Sequence, residues 1–163
     1  MTPGAVMGKA PTLPDEIDLL LVEDDPLEVE LLLRALGKLV PDERIGLARD
    51  GEEALDYLLG RGAFRHRLGA VLPRLVLLGL KLPRLDGVDV LRALRASPRT
   101  ATVPVVVLTS SDETREVAQC YQVGANSCIR KPVGFRELAE TVGTLGRYWL
   151  RLNSAPAGRA GVG

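Results

Sequence analysis

Five times along the chain a short apolar run gives way to a segment whose apolar residues recur every three or four positions. Ile17–Val22, Arg44–Ala48, Leu75–Gly79, Val103–Leu108 and Asn126–Arg130 are too short for ordinary helices and read as strands. The periodic segments between and after them read as helices with one buried face. The inward positions are Val29, Leu32, Leu33 and Leu36; Ala54, Leu55, Leu58 and Leu59; Val90, Leu91 and Leu94; and Val117, Ala118 and Tyr121. The last helix buries Phe135, Leu138, Ala139 and Val142, continued by Leu145 and Trp149. Asp25-Pro26 is a helix start signal, an Asp cap followed by Pro at the first helical position. Asp50-Gly51 opens the second helix, and Asp112 or Ser111 is available to cap the fourth, which Gly124 closes.

Strand–helix alternation of this kind demands parallel strands, right-handed crossovers and helices on both faces. The fold class is therefore α/β, a (βα)5 three-layer sandwich in the flavodoxin-like strand order 2-1-3-4-5. The third strand, apolar throughout and bounded by Pro73 and Pro83, reads as a central strand buried on both faces. One domain is expected over residues 16–152. A Pro- and Gly-rich flexible lead-in at 1–15 and a small, polar, disordered tail at 153–163 flank it. A length of 163 residues suits a single core burying about two-thirds of the unfolded surface.

Charge narrows the function. Acidic and basic residues balance at 21 each and aromatics make up 4%, so neither a basic patch nor a stacking platform for nucleic acid is indicated. No apolar run approaches the roughly 20 residues of a membrane span, and no secretory leader is recognisable. Cys120 and Cys128 lack the spacing of a zinc site. A cytoplasmic protein with reduced thiols is the expectation.

Ligands of open α/β sheets bind outside the carboxyl ends of the strands. Those ends carry Glu23 and Asp24 after strand one, Gly79 on strand three, Thr109 after strand four and Lys131 after strand five. Adjacent carboxylates repel unless a cation lies between them, and a hard divalent ion such as Mg²⁺ suits oxygen ligands. A metal, a hydroxyl and an ammonium around one anion is the requirement of phosphoryl transfer. A carboxylate on strand three would be the nucleophile, but Gly79 has no side chain. Each residue also has a plainer reading. Gly79 could be a strand-ending glycine, Glu23-Asp24-Asp25 a helix N-terminal cluster, Thr109 a cap and Lys131 an exposed charge.

Taken in order, Glu23-Asp24, Pro83, Asp86-Gly87, Thr109, Gly124-Ala125 and Lys131-Pro132 resemble the receiver domain of two-component response regulators. The stretches Leu21–Pro26, Val105–Ser111, Gly124–Val133 and Tyr148–Leu150 are similar to single-domain regulators that pair with bacterial phytochrome histidine kinases. The resemblance implies Asp24 as a direct Mg²⁺ ligand, Glu23 acting largely through water, and the Lys81 backbone carbonyl as a third ligand. It implies that Thr109 and Lys131 bind phosphoryl oxygens, and that the Lys131-Pro132 bond is cis. Gly79 stands at the phosphoacceptor position, and Cys128 stands where many members carry a switching aromatic residue.

The implied function is a single-domain regulator that docks a histidine kinase, here phosphoacceptor-deficient, with weakened Mg²⁺ binding and no enzymatic activity of its own. The retained Glu23, Asp24, Thr109 and Lys131 favour an acceptor lost by substitution. The alternatives are a pseudo-receiver acting as a phosphorylation-independent interaction module and, from another class, a flavodoxin-like ligand binder. The latter lacks a glycine-rich phosphate loop after strand one. His66, between two arginines, reads as a solvated loop residue. The stripe Leu145, Tyr148, Trp149 and Leu152 suggests a homodimer contact on the last strand–helix face.

Overall fold

The computed structural model describes residues 13–111 and 113–156. Five strands, β1 (Leu19–Val22), β2 (Ile45–Ala48), β3 (Leu75–Gly79), β4 (Val105–Thr109) and β5 (Ser127–Arg130), form one sheet in the order β2-β1-β3-β4-β5. Every pairing is parallel, as the alternation requires. The helices are α1 (Pro26–Leu36), α2 (Gly51–Leu59), α3 (Gly87–Ala96), α4 (Thr114–Val123) and α5 (Phe135–Arg147).

The period-two alternation of the strands splits the core in two. Leu19, Leu21, Leu75, Leu77, Val106 and Leu108 pack with α1 and α5 on one face. Leu20, Val22, Val76, Leu78, Val105 and Val107 pack with α2, α3 and Cys120 of α4 on the other. β3, central in the sheet, is buried along its whole length. Asp25 caps α1 through Oδ1, which accepts from the Leu27 amide at 2.9 Å. Asp50 accepts from the Glu53 amide at 2.8 Å and Asp86 from the Asp89 amide at 3.1 Å. Each such cap stabilises its helix by about 1 kcal/mol.

Several boundaries shift for identifiable reasons. β4 begins at Val105, not Val103, because Pro104 has no N–H to give the ladder. Ile17 is buried but precedes β1, and Asn126 precedes β5, where its side-chain oxygen accepts from the Val105 amide. The N-cap of α4 is Glu113, which makes no side-chain cap. Ser111 Oγ instead accepts from the Glu113 amide, two residues ahead of the cap position, and Asp112 lies outside the described residues. Ala118 and Tyr121 are exposed, leaving Cys120 the one fully buried residue of α4. α4 overlies β5, an edge strand that is itself half-buried, so little apolar surface is available beneath it. Phe135, at the first position of α5, is also exposed. Beyond Arg147 the helix widens into one π turn, Tyr148–Leu152, which splits the apolar stripe. Leu145 is buried and Trp149 half-buried, while Tyr148 and Leu152 face outward.

The stretch 60–73 holds a short 3-10 segment, Gly62–Arg67. Arg67 is buried with its guanidinium 3.7 Å from the centre of the Tyr57 ring, and it donates to the carbonyls of Tyr57, Asp15 and Val71. Leu13, Pro14 and Asp15 pack on the body: Leu13 is buried, and the Pro14 carbonyl accepts from Tyr57 Oη. Residues 1–12 and 157–163, within the expected lead-in and tail, lie outside the described residues.

After β3 the chain folds back so that Gly87, at the start of α3, donates to the Leu80 carbonyl at 2.8 Å. A Cβ on Gly87 would lie 2.3 Å from the Gly79 carbonyl oxygen, so no other residue fits without moving β3. Gly87→Ala is expected to destabilise the protein by about 2–3 kcal/mol in urea titration, in the range of overpacked cores. An unchanged midpoint would show that the loop yields.

Candidate functional site

At the carboxyl edge of the sheet, Glu23, Asp24, Asp25, Gly79, Lys81, Thr109 and Lys131 line one cavity of about 240 Å³. This is smaller than the roughly 300 Å³ at which pockets for drug-sized ligands begin, and favours a cation and a small anion over a flavin. Thus the residues expected from β1, β3, β4 and β5 are brought together. Pro132 and Cys128 do not line the cavity. Cys128 packs on the opposite side of β5, with the α2–α3–α4 core.

Glu23 is nearly buried, at 8% exposure. Its backbone N–H donates to the Ala48 carbonyl, and its Oε2 accepts from the Asp25 amide at 3.2 Å. A Cβ built on Gly79 would lie 3.0 Å from Glu23 Oε1 and 3.2 Å from the Val22 carbonyl oxygen. The Glu23 carboxylate therefore stands against the spot where a side chain at position 79 would emerge. Burial pushes the Glu23 carboxyl above its ordinary value; the Asp25 amide and Lys131 oppose this, and Glu28 and Asp24 reinforce it.

Lys131 is aimed inward by its own backbone, whose N–H donates to the Thr109 carbonyl at 2.7 Å. Its Nζ lies 3.0 Å from Glu28 Oε1 and 3.9 Å from Glu23 Oε1, with 16% of the side chain exposed. No cis peptide bond occurs among the described residues, so Lys131-Pro132 is trans, against the expectation from the resemblance. Trans is the commoner X–Pro isomer, and the Thr109 carbonyl suffices to hold the Lys131 backbone in register. Thr109 is buried, its Oγ1 accepting from the Ser111 amide at 3.0 Å. Its hydroxyl hydrogen remains available to an acceptor in the cavity.

Glu28 was not among the residues selected from sequence. It belongs to the first turn of α1, where acidic residues are commonplace, and Asp24 lies before the Asp25 cap, so no helical spacing links the two and nothing in the sequence singles Glu28 out. In the loop between β3 and α3, Arg84 adopts a positive φ of 71° and is held by Glu52 at 3.0 Å and Asp50 at 3.6 Å.

The donor set for a hard cation is Asp24, exposed and facing the cavity, Glu23 and the Lys81 carbonyl. Among the described residues no three of His, Cys, Asp and Glu form a metal-holding group. The oxygens present suit Mg²⁺ in kind but are few, and Glu23 is already engaged by Lys131 and the Asp25 amide.

Residues 19–143 match the model of the response regulator receiver domain. The chain belongs to this family. The receiver is 41% identical over 143 residues to the probable methanogenesis regulatory protein FilR2 of Methanothrix harundinacea, covering 87% of this chain and 89% of that protein. It is 31% identical over 139 residues to response regulator Rcp1 of Synechocystis sp., covering 85% and 92% of the two chains. The Mn²⁺-bound structure of Rcp1 superposes with a TM-score of 0.77 over 85% of this chain and 98% of that one. The phosphorylated cyanobacterial phytochrome response regulator RcpA superposes at 0.80 with 30% identity, over 87% and 99% of the two chains. The five-stranded order of the receiver is the one read from its sequence.

Lys131→Met would leave Glu23 and Glu28 facing each other with no cation. The folded-state pKa of Glu23, already above the ordinary 4.5, would rise further. A raised carboxyl pKa gives stability that is full below the unfolded value and lost as pH rises through the folded one. The variant is therefore expected to match the parent at pH 4 and to be less stable by roughly 1–3 kcal/mol at pH 8, read from urea midpoints. An equal deficit at both pH values would count against this ion pairing.

Proposed function

We propose that this receiver is a single-domain response regulator that docks a histidine kinase of the phytochrome type in the cytoplasm and is phosphoacceptor-deficient. The carrying observation is Gly79, at the cavity end of β3, with Glu23 and Lys131 beside the place a carboxylate would occupy. The similarity to Rcp1 and RcpA, over nearly the whole length of both, supports the partner and the single-domain organisation. Among the described residues no helix is long and apolar enough to cross a membrane, in keeping with a cytoplasmic site of action. The receiver catalyses no reaction of its own. Asp24, Glu23 and the Lys81 carbonyl hold Mg²⁺ weakly, and Thr109 and Lys131 face an anion beside it. The similarity to Rcp1, of which a Mn²⁺-bound form is known, supports a divalent ion as the ligand.

A second reading, a pseudo-receiver that works by binding alone, is favoured by one contact. Lys131 is already neutralised by Glu28 at 3.0 Å, so the site is electrostatically complete without a phosphoryl group. In both readings the exposed Tyr121 of α4, Val133 of the loop after β5, Phe135 of α5, and Tyr148 and Leu152 of the π turn offer apolar surface for a second copy of the chain.

Incubation with a small acyl phosphate and Mg²⁺ is expected to leave the parent's intact mass unchanged. Gly79→Asp is expected to gain one base-labile phosphate and to bind Mg²⁺ more tightly by calorimetry, once Glu23 turns aside from the new Cβ. A stable adduct on the parent would sink the acceptor-deficient reading. Sedimentation of the parent should show a dimer that Trp149→Ala weakens; a parent that stays monomeric at high concentration removes the dimer.

A further inference from the structure

The cysteines serve no role in the site above, yet they meet across the junction of α4 and β5. Cys120, wholly buried, is the sole fully buried residue of α4. Cys128 of β5 packs against the same cluster, near enough for the two thiols to influence each other. The approach is held on both sides by backbone. The Cys128 N–H donates to Tyr121 Oη at 3.1 Å, and the Cys120 carbonyl accepts from the Gly124 and Ala125 amides that end the helix. β5 is fixed in register by the pairing of Cys128 with Val107. With seven residues between them, the two thiols have little chain to close, and both are free in this structure.

We propose that Cys120 and Cys128 are a modification site, a thiol pair that a hydroperoxide converts into an intramolecular disulfide, fastening α4 to the sheet by its one buried anchor. The asymmetry of burial assigns the roles. Cys128, half-buried on the edge strand, is the sulfur a reagent reaches, and Cys120, with no exposed surface, resolves the product. With hydrogen peroxide as the hydroperoxide, the Cys128 thiolate attacks one peroxide oxygen, the O–O bond breaks, and the departing oxygen, already bearing one hydrogen, takes up the thiol proton and leaves as water. The resulting sulfenic acid is attacked by the Cys120 sulfur; the S–S bond forms, and the sulfenic oxygen leaves with the second thiol proton as another water. Each sulfur loses one electron, and the hydroperoxide takes both. Burial pushes the Cys120 thiol up to about 11 and raises Cys128 as well, with Glu116 acting in the same direction. The pair is consequently slow to react and stays reduced under brief exposure. The site is independent of kinase docking and of phosphate.

The test is peptide mapping of the full chain after prolonged hydrogen peroxide treatment and alkylation with iodoacetamide. The stretch between the cysteines contains no Lys or Arg, so trypsin leaves both in the peptide Glu116–Arg130, which also lacks methionine. The expected product is that peptide lighter by two hydrogens, unalkylated, and restored by dithiothreitol. Backbone hydrogen exchange in α4 should slow by about tenfold on oxidation and recover on reduction. Cys128→Ser should show no slowing under the same treatment. Sulfonic acid at Cys128 beside an alkylatable Cys120, a disulfide between two chains, persistent free thiols, or equal slowing in Cys128→Ser would each overturn the proposal.

Discussion

Burial of β3 on both faces is the constraint from which the rest of the architecture follows. A parallel strand flanked by β1 and β4 and covered by helices above and below has no solvent along its length. Polar chemistry is admitted only where the strand ends. The fold-back of Gly87 onto the Gly79 carbonyl brings α3 directly against that end. Glu23 and Asp24, Thr109 and Lys131 reach the same small cavity because their strands stop in near register around it.

The absence of a side chain at position 79 does not leave Lys131 uncompensated. An ammonium at 16% exposure without a counter-charge would be costly, and Glu28 and Glu23 supply that charge from α1 and β1. The acidic corner that would hold a cation thus also satisfies the lysine. A cation placed at this corner would compete with the lysine for the same carboxylate, coupling metal affinity to the position of β5. A carboxylate introduced at 79 would take up part of the load on Glu23 and change that balance.

The sequence made the helices and strands legible wherever hydrophobic period and capping agreed, as in α1, with its Asp25-Pro26 start and its buried Val29, Leu32 and Leu36. It misled where a segment lies at an edge. Tyr121 and Phe135 keep helical spacing, but the half-buried β5 gives them nothing to pack on. The site residues on strand ends were legible because topology collects strand ends. Glu28 was not, because a helical residue enters the cavity by side-chain reach and leaves no mark in the strand pattern. The same holds for Arg67, whose stacking on Tyr57 and capture of three carbonyls depend on tertiary contacts that a Gly- and Arg-rich stretch does not announce. The trans Lys131-Pro132 bond likewise escaped a reading based on family likeness.

The pairing of Lys131 with Glu28 also bears on how the molecule comes apart. The two residues are 103 positions apart, joining the first helix to the last strand. Closing a loop of that size is unfavourable until the intervening strands are in place, so the pair forms only when β5 completes the sheet. An interaction made that late does little for the speed of folding and acts on the rate of unfolding. The charge cluster at the cavity is therefore also a clasp, holding the final strand–helix unit to the first and lengthening the lifetime of the native state.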